Sequence, residues 1–287
     1  MATTTAPVCS QTVVEFMRNA SSYPDNQGPI EIVETHISWV FLTDRYAYKL
    51  KKPVRFEFLN FSTSDLRHRA CLDEVQLNRR LAPDVYLGVL PITRNERGDF
   101  ELNGGGEGVD WVVQMRRLPA KNALDVVLRE GRLTSEQAQS IAKHLSNFYA
   151  RLLSKPASAD DYREALDHHI RANGAALLGS LPDERSRIRR IQSAQLRFLN
   201  IEAELIGRWA SAGRVVEGHG DLRPEHIYLN GRPTVIDCIE FSDELRTVDI
   251  ADELSFLGME CERLGDGGLG EAVLAEYERV CGDHLSE

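Results

Sequence analysis

The stretch Val215-Val-Glu-Gly-His219-Gly-Asp221-Leu-Arg-Pro-Glu-His226-Ile-Tyr-Leu-Asn230-Gly231-Arg-Pro-Thr-Val-Ile-Asp237 decides the fold. Asn230-Gly231 between apolar flanks is the strongest short-range signal for a two-residue type I′ hairpin. That turn sets a register: Leu229 opposite Arg232, Tyr228 opposite Pro233, Ile227 opposite Thr234, and His226 opposite Val235. Pro233 then falls in a non-hydrogen-bonded pair, where its missing N–H costs no ladder bond. Alternation places Ile227, Leu229 and Ile236 on the core face, with His226, Val235 and Asp237 on the other. The loop His219–Glu225 is thereby brought beside Asp237.

Taken singly, Asp221, His226 and Asp237 would be polar residues near a strand end. Together they ask for a cation, because neighbouring aspartates raise each other's pKa unless one sits between them. Oxygen ligands of this kind suit a divalent metal, Mg²⁺ first. A zinc site built on His219 and His226 is set aside, since their spacing matches no zinc motif and carboxylates suit harder metals.

Outward from the hairpin, the two halves of the chain read differently. Ile30–Glu34, Trp39–Leu42, Tyr46–Leu50, Tyr86–Ile92 and Val109–Met115 carry the β-branched and aromatic pattern of strands. One helix interrupts them, Asp65–Leu81, with Ser62 as its N-cap and Pro83 as its stop. After Leu118 the pattern is helical. Thr134 and Gln137 form a capping box before Ile141, Leu145 and Phe148. Further helices are predicted over Tyr162–Leu178, Asp183–Trp209, Asp249–Arg263 and Glu271–Val280. The expected organisation is α+β: a strand-rich lobe over residues 1–115 holding one helix, then a helical lobe over residues 116–287 holding one strand pair.

Bulk properties narrow the field. With 287 residues the chain can bury substantial cores, and 42% hydrophobic with 27% charged residues is ordinary for a globular protein. A net charge of −10 argues against nucleic acid or an anionic membrane as partner. Five scattered cysteines (Cys9, Cys71, Cys238, Cys261, Cys281) give no CxxC pair and no disulfide framework. The first residues lack a basic segment followed by an apolar one, so no signal peptide is expected, and the cytoplasm is the default compartment.

At His219-Gly220-Asp221 and Val235-Ile236-Asp237 the sequence resembles the aminoglycoside phosphotransferase-like branch of the protein-kinase-like superfamily. The resemblance runs from about residue 30 to 260 and implies a two-lobe, protein-kinase-like fold. It implies that Asp221 orients and deprotonates an attacking hydroxyl, and that Asp237 holds the Mg²⁺ bridging the phosphates of ATP. His219 would be a scaffold residue. Lys49 would grip the phosphates with Glu74 as its ion-pair partner. The turn around Ser38 would cover the phosphates, and Gln114, Met115 and Arg116 would form the hinge that meets the adenine edge. Asp249 would cap the following helix and brace the catalytic loop. Thr35–Leu42, Tyr48–Val54 and Leu77–Pro83 narrow the likeness to a bacterial subgroup, some of whose members carry a second, P-loop domain.

Three departures from the pattern stand out. His226 replaces the asparagine that usually follows the catalytic aspartate by five residues. Imidazole suits transition metals better than Mg²⁺, so Mn²⁺ is the alternative cofactor, with His226 a metal ligand beside Asp237. No GxGxxG loop lies between the first two strands, and no Walker motif occurs. The chain stops at His284-Leu-Ser-Glu, so the helices that complete a substrate pocket are expected to be short or lost. The expected activity is transfer of the ATP γ-phosphoryl group to a hydroxyl of a small molecule. A nucleotide-binding pseudokinase with a regulatory role, or a protein-modifying kinase or AMP transferase, are the alternatives.

Overall fold

The computed structural model describes residues 10–24, 26–56, 58–155 and 158–282. Expectations resting on Cys9, the first nine residues and the His284 terminus lie outside them. Helix α1 (Ser10–Arg18) precedes strands β1 (Glu31–Glu34), β2 (Ser38–Leu42), β3 (Tyr46–Lys51), β4 (Arg55–Phe56) and β5 (Leu59–Asn60). Helix α2 (Ser64–Asn78) then leads to β6 (Tyr86–Arg94), β7 (Phe100–Leu102) and β8 (Glu107–Arg116). An antiparallel six-stranded sheet results, in the order β1-β2-β3-β8-β6-β7. Alternation along β3 sorts its two faces. Tyr48 and Leu50 pack with Val13, Val14 and Met17 of α1, while Ala47 packs toward Cys71 and Val75 of α2.

The α2 helix begins one residue later than its expected cap: Thr63, not Ser62, accepts from Leu66 N at 3.3 Å. It ends at Asn78, and its buried stripe is Arg67, Ala70, Cys71, Glu74, Val75 and Asn78. Half of that stripe is polar, and each polar member has a fixed partner. Arg67 grips Asp110 with two bonds of 2.9 and 2.8 Å. Asn78 accepts from Cys238 N at 2.9 Å.

The second half contains α3 (Leu124–Arg129), α4 (Ser135–Tyr149), α5 (Ala159–Ser180), α6 (Arg185–Ile201), α7 (Ala203–Ser211), β9 (Val215–Glu217), β10 (Ile227–Asn230), β11 (Arg232–Val235), α8 (Asp243–Arg246), β12 (Thr247–Asp249), α9 (Ile250–Arg263) and α10 (Gly268–Cys281). The capping box at Thr134 and Gln137 is formed. Its helix contributes Ile141 and Leu145 to a core with Leu124, Leu254, Leu257 and Val273. The single helix expected over Asp183–Trp209 is two. Glu202, at φ −99° and ψ 32°, breaks it, and both halves lie against α5. A second strand pair, β9 with β12, went unanticipated, because three-residue strands 30 residues apart leave no local signal. The architecture is nonetheless the mixed one expected, an antiparallel sheet with its helix followed by a helical lobe.

The decisive hairpin forms with a corrected register. Ile227 faces Val235, Tyr228 faces Thr234, and Leu229 faces Pro233. A type I′ turn needs positive φ at both central residues, yet only Gly231 adopts it, at 83°. Asn230 instead accepts a 2.6 Å bond from Asn122 Nδ2 through its side chain. The shift sends Val235 into the core with Ile227 and Ile236 to the cleft wall. Asp237 still reaches the site because it leaves the strand in the left-handed region, at φ 65°.

Candidate active site

A cleft of about 640 Å³ opens between the lobes. Its walls include Val40, Leu42, Ala47 and Met115 from the sheet, and Tyr228 and Ile236 from the hairpin. Lys49, Asp221 and Asp237 reach it together. Lys49 Nζ lies 2.6 Å from Asp237 Oδ1 and 2.9 Å from Glu74 Oε1. Glu74 itself is wholly buried behind the lysine. Burial alone would push Lys49 toward neutrality, but Asp237, Glu74 and Glu240 reverse it and hold the ammonium firmly charged. Burial likewise raises Asp237, and Lys49 with His226 outweighs it, leaving the carboxylate below its ordinary range.

Asp221 behaves oppositely. Burial raises its pKa, and the lowering influence of His226 and Arg223 does not cancel it. The two aspartates thus differ in basicity within one cleft, Asp221 being the more basic. Both remain open to it, with side chains 37% and 44% exposed.

Two histidines hold the loop that carries Asp221. His219 is fully buried; its Nε2 donates to Ile236 O at 2.9 Å, and Nδ1 faces Asp221 N at 3.3 Å. Burial lowers its pKa to about 3, so the ring is neutral. His226 Nδ1 lies 2.9 Å from Asp221 O. A carbonyl can only accept, so Nδ1 carries the proton there. The other ring nitrogen, Nε2, lies 3.8 Å from Asp237 Oδ2.

The remaining support comes from residues the sequence reading passed over. Glu253 accepts from His219 N at 3.1 Å, from Gly220 N at 2.5 Å and from Tyr149 Oη at 2.6 Å. Gly220 is required there, because φ is 86° and a Cβ would lie 2.9 Å from Leu245 O. Glu253, on α9, therefore braces the loop. Asp249 does cap that helix, accepting from Ala251 N at 2.8 Å, but its other partner is the Tyr162 hydroxyl. Arg80 donates to Glu217 O at 2.8 Å and to Gly218 O at 2.7 Å. Tyr86 Oη accepts from Asp237 N at 3.1 Å and helps fix the left-handed turn.

Other expected contacts fall elsewhere. Ser38 is fully buried with its hydroxyl unpaired, away from the cleft wall; Thr35, His36 and Ile37 line the wall instead. Gln114 points to the opposite side of the sheet, toward Tyr48 Oη at 3.3 Å. Met115 and Arg116 do line the cleft. The amides of Arg116 and Arg117 are already bonded to Val85 O and Arg45 O, both at 2.9 Å, so a base edge would have to find other groups. Among the described residues no ready-made cluster of three metal-ligating side chains exists. Asp237 and His226 are nonetheless a chemically fitting pair, an oxygen and a nitrogen donor facing each other across 3.8 Å. Among the described residues no helix is long and apolar enough to cross a membrane.

No protein-family model matches the chain. Solved structures with some likeness include a choline/ethanolamine kinase family protein from Mesorhizobium loti, at 12% identity and a TM-score of 0.48 over 92% of this chain and 75% of that one. An ADP-bound aminoglycoside phosphotransferase gives 16% and 0.46, over 92% and 81% of the two chains. A glucosamine kinase gives 17% and 0.43, over 90% and 65%. In sequence, the chain is 34% identical over 268 residues to curated proteins of Mycobacterium bovis and Mycobacterium tuberculosis that are described as uncharacterised. The alignment takes in 91% of this chain and 52% of theirs, so the chain spans about half the length of the curated relatives it matches.

Proposed function

We propose that the protein is an ATP-dependent phosphotransferase acting on a hydroxyl of a small molecule. The observation that carries this reading is the meeting of Lys49, Asp221 and Asp237 in one interlobe cleft, with Glu74 buried behind the lysine. Phosphoryl transfer needs positioning and charge neutralisation more than covalent chemistry. Lys49 meets the phosphates as a fixed cation. Asp221, the more basic aspartate, takes the proton of the acceptor hydroxyl as it attacks, and the γ-phosphorus–oxygen bond to the ADP leaving group breaks. Asp237, with His226 beside it, is the group that would hold Mg²⁺ or Mn²⁺, which when bound offsets phosphate charge. Tyr228, Ile236 and Met115 supply apolar walls for a base.

The test is ATP consumption by purified protein against hydroxylated metabolites, sugars, amino alcohols and aminoglycosides, with each metal. Asp221→Ala is expected to lower turnover by roughly 10²–10⁴-fold while ADP still binds. Unaltered turnover would remove Asp221 as the base. A second reading, a nucleotide-binding module without transfer, is favoured by the direct Lys49–Asp237 contact, which ties together two groups that transfer would need apart. Stabilisation by ATP without metal, with no acceptor consumed, would select it.

A further inference from the structure

Strand β3 sends a second lysine to the same place. Lys51 lies two residues beyond Lys49, hence on the same face. Its Nζ is 2.7 Å from Glu74 Oε2 and also pairs with Glu240. Lys51 is 1% exposed and off the cleft wall, whereas Lys49 lines the cleft. The Lys51 ammonium also sits 5.0 Å from the Phe61 ring centroid. Glu240 follows Asp237 by three residues, and its carbonyl is held by Arg246 Nη1 at 3.2 Å.

Three carboxylates, Glu74, Asp237 and Glu240, meet two lysines in this cluster. Were Lys49 the sole cation, it would face all three carboxylates and the cluster would stand at −2; Lys51 brings it to −1. Lys51 changes the balance from behind the wall. It pairs with one oxygen of Glu74 and one of Glu240 while itself lying off the cleft wall. It also joins β3, α2 and the segment after Asp237 through one ammonium group.

We propose that Lys51 is a positioning residue for the phosphate grip: it takes up the charge of Glu74 and Glu240 so that Lys49 is left available to phosphate. This inference rests on the nucleotide reading above. A purely architectural ion pair would affect stability and leave phosphate recognition alone, and that difference can be measured without knowing the acceptor.

The experiment compares ADP with adenosine by calorimetry, because only ADP engages Lys49. Two variants are used, Lys51→Arg/Glu240→Gln and Lys51→Met/Glu240→Gln. Sharing Glu240→Gln, neither leaves that carboxylate buried without its cation. The arginine variant is expected to keep at least the wild-type ratio of ADP to adenosine affinity. The methionine variant should show a ratio roughly tenfold below the arginine variant's, with adenosine binding retained. A thermal melt establishes that both are folded. Should the methionine variant fail to fold, Lys51→Gln/Glu240→Gln, which keeps a donor to Glu74 without the charge, is expected to show the same loss. A ratio in the folded methionine or glutamine variant equal to the arginine variant's overturns the role given to Lys51 while the nucleotide reading stands. A wild-type protein that does not prefer ADP to adenosine overturns both.

Discussion

His226 is where the proposed metal-holding pair departs most from an all-oxygen set. Its Nδ1–H is committed to Asp221 O at 2.9 Å, which fixes the tautomer and aims Nε2 toward Asp237. A nitrogen donor beside a carboxylate favours Mn²⁺ over Mg²⁺. With ADP as the probe, the wild type is therefore expected to bind Mn²⁺ more tightly than Mg²⁺, by roughly tenfold. In His226→Asn that preference should narrow, because an amide oxygen suits the harder ion. Electron paramagnetic resonance of the Mn²⁺–ADP complex supplies a separate readout: histidine nitrogen coupling in the wild type and none in the variant. Absence of that coupling in a wild-type protein that does bind Mn²⁺–ADP would leave His226 only its hold on the loop.

The loop carrying Asp221 and its hairpin show what is legible at the scale of an element. Asp221 and Asp237 were brought together by the hairpin reading, whereas Lys49 and Glu74 were singled out only by the resemblance to a known family. The hairpin register was misread by one residue, since Asn230 spends its side chain on Asn122 rather than entering positive φ. The convergence survived that error because Asp237 turns at φ 65°, a conformation that strand alternation cannot foresee. Glu253 and Glu240 were invisible for another reason: their partners are distant in the chain, 34 residues away at His219 and 189 away at Lys51. Lys51 was legible in principle, since alternation along β3 places it with Lys49. The same loop yields a pH prediction. His219 is held neutral in the fold, with its pKa lowered to about 3 from 6.5. The unfolded chain therefore takes up this proton first as pH falls. The stability His219 contributes is complete above pH about 6.5 and is lost below it, by up to about 1.4 kcal/mol per pH unit. Urea unfolding between pH 7.5 and pH 4.5 should show this slope, and His219→Gln should flatten it. Equal slopes in the two proteins would contradict a neutral His219.

At the scale of the whole molecule, the lobes are joined by side chains as well as by the chain itself. Lys49 reaches Asp237, Asn78 receives Cys238 N, and Arg80 crosses to the carbonyls of Glu217 and Gly218. Each link starts on β3 or near the end of α2 and finishes at the loop carrying Asp221 or the turn carrying Asp237, so the sheet and the hairpin share one set of fasteners. Arg80 is the most informative to remove, because its guanidinium faces backbone groups and leaves no orphaned carboxylate behind. Arg80→Ala is expected to cost about 2–3 kcal/mol, the scale of charge-assisted hydrogen bonds. It should also weaken the coupling between lobes. The tryptophans permit a direct reading: Trp39 and Trp111 belong to the sheet lobe and Trp209 to α7. In proteins retaining Trp209 alone, or Trp39 and Trp111 alone, the two urea transitions should coincide when Arg80 is present and separate when it is alanine. Transitions that already differ with Arg80 in place would mean that the lobes unfold independently and that these contacts are too weak to couple them.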